Sequence, residues 1–117
     1  MSELYERVQE YLGDEQQLLQ RMAGRLDLWE ECVYMFPKEE IIEEADAALH
    51  TGREKDLYAI IHRLKGNLLN FGFDSAGEKA MAVLEALKSN DRARVEEQYE
   101  DFREIYIQIA RRIGDAE

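Results

Sequence analysis

Leu57, Ile60, Ile61, Leu64, Leu68 and Phe71 recur at the spacing of one face of an α-helix, and this stripe limits the fold more than any other feature of the chain. At about 100° per residue the six fall within roughly one third of the helix circumference. Such a stripe has to be covered by other apolar faces. His62 lies almost diametrically opposite its centre and so points away from the helix's own core contact. Lys65 at i+3 and Gly66 at i+4 lie beside it on the polar face. A glycine inside a helix costs roughly 1 kcal/mol relative to alanine. Its place next to an outward histidine asks for a reason, and access is one: without a side chain there, another protein's surface can come down onto the imidazole.

The same period runs through the rest of the chain with brief punctuation. Leu4, Tyr5, Val8, Tyr11 and Leu12 predict a first helix that stops near Gly13. Asp14 with Gln17 reads as a capping box for a second piece bearing Leu18, Leu19 and Met22. Gly24 and Asp27 mark a break before Leu28, Trp29, Cys32, Val33 and Phe36, and Pro37 suits the first position of the next helix. That helix carries Ile41, Ile42, Ala45 and Leu49 and ends at Gly52; the histidine helix follows, from about residue 53 to 71, with Gly72 as its stop. Ser75 with Glu78 reads as the next capping box, ahead of Ala80, Met81, Leu84 and Leu87. Val95, Tyr99, Phe102, Tyr106, Ile109 and Ile113 place a last helix over about 92–113. The expectation is an all-α single domain over 1–117, an antiparallel four-helix bundle over about 38–113 with additional N-terminal helices, about 3–36, capping or flanking it.

Charge and composition narrow the function classes. Fifteen basic against 26 acidic side chains give a net charge of −11, a surface that repels phosphate backbones and anionic lipids, so neither nucleic acid nor a membrane is an expected partner. Arg53, Lys55, Arg63 and Lys65 are the exception, a local positive zone near the histidine on an acidic body. No apolar run reaches the ~18 residues of a membrane span, and Met1-Ser2-Glu3-Leu4-Tyr5-Glu6 lacks the basic start and apolar block of a signal peptide, so a cytoplasmic location is expected. Cys32 stands alone in an apolar register and reads as a buried, inert thiol; His50, at a helix end, reads as structural.

His62-Arg63-Leu64-Lys65-Gly66, with Gly72 beyond, resembles the signature of histidine-containing phosphotransfer (HPt) domains: a histidine, then x-hydrophobic-Lys-Gly and a second glycine at this spacing. Asn70-Phe71-Gly72 is similar to the end of the family's phosphohistidine helix, and Leu84-Glu85 to a hydrophobic-Glu pair on the helix after it; the resemblance covers roughly residues 25 to 113. It implies a phosphocarrier rather than a stand-alone enzyme. His62 would take a phosphoryl group from a receiver-domain aspartate and later give it to another, as a neutral imidazole available near pH 7. Lys65 would stabilise the charge on the transferred group. The implied partners are response-regulator receiver domains, with a hybrid histidine kinase as a further one; a monomer is the default expectation. No cofactor or metal is expected on this chain, because the receiver brings the magnesium ion. Around His62, Tyr58, Leu69 and Phe73 fit an apolar docking patch, with Lys55, Gly66 and Gly72 completing the partner-binding set. Leu69 departs from the family, which often has a small residue there, as does Asn67 after the motif glycine.

Other classes fit less well. A carboxylate-bridged metal bundle needs Glu-x-x-His pairs, and the positions three before each histidine, Ala47 and Ala59, are alanines. Gly72-x4-Gly77-Glu78-Lys79 misses the phosphate-binding loop pattern by its Glu78, and no strand precedes it. A non-catalytic helical adaptor and a phospho-accepting substrate of a separate histidine kinase are the alternatives.

Overall fold

The computed structural model describes residues 2–36 and 38–117, and among them the chain is all-helical. In chain order the helices are α1 (Glu3–Val8), α2 (Glu15–Arg21), α3 (Leu26–Met35), α4 (Glu40–His50), α5 (Glu54–Asn70), α6 (Asp74–Lys88) and α7 (Arg92–Ala116), with a 3-10 turn at Gln9–Tyr11. The helix start expected at Pro37 lies outside the described residues. Short polar side chains open three of the helices by accepting from otherwise unpaired amides: Ser2 from Tyr5, Asp14 from Gln16 and Gln17, and Asp91 from Arg94. The start of α6 differs from expectation. It begins at Asp74 with no side-chain cap, and the Ser75 hydroxyl instead donates to the Tyr11 carbonyl at 3.4 Å.

α4 and α5 end in the same way. Gly52 and Gly72 take φ of +71° and +87°, and the next amides, Arg53 and Phe73, fold back onto the carbonyls of Ala48 and Leu68. This satisfies carbonyls that a helix C-terminus leaves unpaired, and the left-handed residue is where glycine has no steric penalty. The turns are short, so α4 to α7 run antiparallel. α5 packs against both α4 and α6, and α6 against α7. Polar contacts then tie α7 back to α4 and the residues just before it: the Tyr99 hydroxyl to Asp46, Arg103 to the same carboxylate, Arg92 to the Leu49 carbonyl, and the Tyr106 hydroxyl to the Lys38 carbonyl ahead of α4. The four helices therefore close into a bundle.

The N-terminal helices seal one end of it. α1 lies along α7, and the 3-10 turn packs on α6. The carbonyls at the C-terminus of α5 are taken by this segment: Phe71 accepts from the Trp29 indole at 2.9 Å, Gly72 from the Gly13 amide at 2.9 Å, and Leu69 from Arg21. A single apolar cluster runs from Leu4, Val8 and Trp29 through Leu57, Ile61, Leu64 and Leu68 to Phe102, Tyr106 and Ile113. Packing departs from the simple stripes at several positions. Ile60 and Phe71 are only partly buried, and Cys32 is half-buried rather than enclosed. Leu28 and Met81, each placed on an apolar stripe by spacing, are exposed, because α3 and α6 turn Trp29, Val33, Ala80, Val83 and Leu84 inward instead.

Candidate functional site

α5 is 17 residues long, and His62 sits midway along it, exposed, opposite the buried Leu57, Ile61, Leu64 and Leu68. The helix is uninterrupted through Gly66. A Cβ built at Gly66 would meet nothing within 4 Å, so this glycine does not serve close helix packing. The space beside the imidazole is open on that side. On the other side, one turn towards the helix N-terminus, the Tyr58 ring lies nearly parallel to the imidazole, with centroids 6.1 Å apart and planes 18° from one another. Tyr58 is half-buried and rests on the apolar core. Lys65, one turn beyond His62, is also half-buried.

The positive zone is smaller than its sequence count. Arg53 pairs with Asp56 at 3.3 Å and donates to the Thr51 hydroxyl at 2.8 Å, which commits it to the α4–α5 turn. Lys55, Arg63 and Lys65 form no ion pair among the described residues. Arg63 faces an open groove of about 450 Å³ between α4 and α5, shared with Glu44, Arg53 and Asp56, where the signs are mixed. Lys55 is exposed two turns before His62.

Two of the residues expected in a docking patch are not on the surface. Phe73 is fully buried. It is the residue after the left-handed glycine at the end of α5, and in that motif an apolar side chain folds back onto the last turn of the helix, here onto the level of Leu68. Gly72 is buried as well, and a Cβ there would stand 3.1 Å from Leu18 Cδ1, so α2 covers it. Both belong to the sealed end of the bundle, and neither can touch a partner. Leu69 is half-buried and lies on Gly77 of α6, where an added Cβ would sit 2.7 Å from Leu69 Cγ. A glycine inside a helix of small residues, Ala76-Gly77 with Ala80, was the available signal for this close approach. The bulk that sets Leu69 apart is thus partly absorbed within the protein.

His50 is the last residue of α4, exposed beside Asp46, Arg92 and Glu96 in a groove between α4 and α7. The chemistry in that groove is structural: Tyr99 and Arg103 both bind Asp46, and α7 is pinned to α4. Sequence reasoning placed Tyr99 on an apolar stripe and missed its hydroxyl's partner. Among the described residues no group of three or more His, Cys, Asp and Glu side chains could hold a metal ion, and no helix is long and apolar enough to cross a membrane.

An all-helical bundle that presents one histidine from the middle of a helix, with a lysine and an unobstructed glycine one turn on, has the layout of a phosphoryl-carrying domain rather than of an enclosed active site. The family model of the Hpt domain matches residues 38–112, more than half of the chain, and the chain belongs to that family. The activity of Hpt domains in general is histidine phosphotransfer in phosphorelays, through interactions with receiver domains and kinases of two-component systems. The matched segment holds α4 to α6 and most of α7, and His62, Lys65 and Gly66 all lie within it. No curated protein and no solved structure matches the chain.

Proposed function

We propose that this protein relays phosphoryl groups between receiver-domain aspartates, with His62 as the carrier. The observation that supports this most is the pairing of an exposed His62 with a Gly66 that has nothing within 4 Å of its missing side chain. Donor and acceptor are side chains of another folded protein, so the imidazole has to be reachable by a whole surface and not by a small molecule alone. Lys65 stands where a cation can meet the phosphoryl oxygens, which carry the charge in a loose transition state. Tyr58 and Leu69, both half-buried, offer apolar area beside the histidine for the receiver, and Lys55 offers a positive charge on the same face. The magnesium ion is the receiver's, and this chain supplies no cofactor of its own. The same reading puts the protein in the cytoplasm, where receivers and the catalytic parts of their kinases meet it, and asks for no more than one copy of this domain.

The test is incubation with a receiver domain phosphorylated on its aspartate, followed by assay for acid-labile label on this chain. Label on the natural chain and none on His62→Gln, at an unchanged melting temperature, is the expected result. His50→Gln should keep full transfer. Label persisting on His62→Gln would move the carrier elsewhere, and no label on the natural chain would leave the adaptor reading. Label that comes only from a kinase, with none from any receiver, would favour the kinase-substrate reading.

A further inference from the structure

We infer that Tyr58 is a positioning residue for the His62 imidazole; this rests on the carrier reading above. An exposed histidine in the middle of a helix ordinarily samples more than one staggered rotamer, because nothing on the solvent side selects among them. Helical side chains lean towards the N-terminus of their helix, so the residue directly beneath His62 is the one four positions earlier. That residue is Tyr58, and its ring is nearly parallel to the imidazole, 18° apart at a centroid distance of 6.1 Å. The distance and angle describe offset stacking, an arrangement that aromatic pairs favour. Tyr58 is itself held, half-buried against the core, so it offers a fixed wall rather than a second mobile side chain. On the opposite side Gly66 offers nothing at all. The surroundings of His62 are therefore lopsided along the helix axis, a wall at i−4 and a gap at i+4, and the imidazole rests in one orientation with its outer edge free.

Orientation matters for the step proposed. The unprotonated ring nitrogen donates its lone pair to phosphorus as the bond from phosphorus to the aspartyl carboxylate oxygen breaks. The carboxylate leaves with that electron pair, and the ring keeps its proton on the other nitrogen. Attack and departure have to be in line, and a ring already held at the right angle does not have to be ordered during the reaction. Tyr58 touches neither phosphorus nor leaving group. It acts through His62.

The phenol hydroxyl has no part in the stacking, so Tyr58→Phe keeps the ring beside His62 and serves as the conservative reference. Tyr58→Leu keeps apolar bulk for docking and for the core but removes the stacked ring. The expected result is a transfer rate at saturating phosphorylated receiver, where affinity no longer counts, lowered about five- to tenfold in Tyr58→Leu relative to Tyr58→Phe. NMR of the free proteins adds a readout that a docking role would not move. The His62 ring protons should carry ring-current shifts in the natural chain and Tyr58→Phe that disappear in Tyr58→Leu, together with averaging of the χ1 couplings. A Tyr58→Leu variant with an unchanged saturating rate, whatever its affinity, would leave Tyr58 with its docking contact alone and overturn the inference while the carrier reading stands. Unchanged His62 shifts in that variant would overturn it as well. A natural chain that accepts no label from receivers would overturn both.

Discussion

Leu69 of α5 lies on Gly77 of α6, close enough that a Cβ on the glycine would stand 2.7 Å from Leu69 Cγ. The two helices approach there because one of them has no side chain, and the leucine fills the gap. Gly77→Ala should therefore destabilise the protein by about 1 kcal/mol, the cost of displacing Leu69 exceeding the gain in helix propensity. With Leu69→Ala in place, the same Gly77→Ala change should become stabilising by up to about 1 kcal/mol. Chemical denaturation of the four proteins of this cycle measures the coupling. Additive effects would mean that Leu69 does not rest on the glycine.

The Tyr99 hydroxyl donates a 2.6 Å hydrogen bond to Asp46, and Arg103 binds the same carboxylate. Burial first, then the hydrogen bond and charge of Asp46, raise the ionisation of this phenol above its ordinary value of 10.0. Burial raises Tyr106 likewise. The folded state thus holds these protons where the unfolded chain has released them. Their contribution is complete below about pH 10 and is lost as pH rises from there towards the folded-state values, at up to about 1.4 kcal/mol per pH unit for each tyrosine. Tyr99→Phe should cost about 1 kcal/mol at neutral pH through the lost bond and flatten the alkaline decline. Stability measured between pH 8 and 12 checks both signs. An equal alkaline slope in the variant would show that Tyr99 ionises alike in both states.

Lys65→Ala should slow phosphoryl transfer at saturating receiver by about ten- to a hundredfold and leave receiver affinity nearly unchanged, because its proposed interaction is with charge that develops on the phosphoryl oxygens. Single-turnover transfer and equilibrium binding, measured separately, distinguish the two. A normal saturating rate would return Lys65 to the solvated surface.

Gly66 sets helix propensity against function. Its surroundings are open, so Gly66→Ala should stabilise the isolated protein by up to about 1 kcal/mol. Gly66→Gln should also fold, since the added side chain has space, yet it would stand one turn from His62 and hold a receiver surface away. Reduced receiver binding and transfer in a folded Gly66→Gln protein is the expected outcome. Normal transfer would remove clearance as the purpose of the glycine.

The stripe on α5, the outward direction of His62 and the stops at Gly52 and Gly72 were legible in the chain because each depends on residues within one or two helical turns. A period of 3.6 and a glycine at a helix end are local physics, and they placed the histidine midway along an exposed face without any knowledge of what packs behind it. The fates of Phe73, Gly72, Leu69 and Met81 were decided elsewhere. Gly72 is covered because Leu12 and Leu18 fold over the end of α5, more than fifty residues back along the chain, and Phe73 beside it is fully buried. Leu69 is half-buried because α6 happens to carry a glycine opposite it, and Met81 is exposed because α6 turns Ala80 and Leu84 inward in its place. Asp46 and Tyr99 meet across two helices, and neither position announces the other. Periodicity reports which face of a helix is apolar. Which neighbour covers that face, and how much of its rim stays open to a partner, depends on the volumes and backbone approach of segments far apart in sequence, and only the packed bundle brings those together.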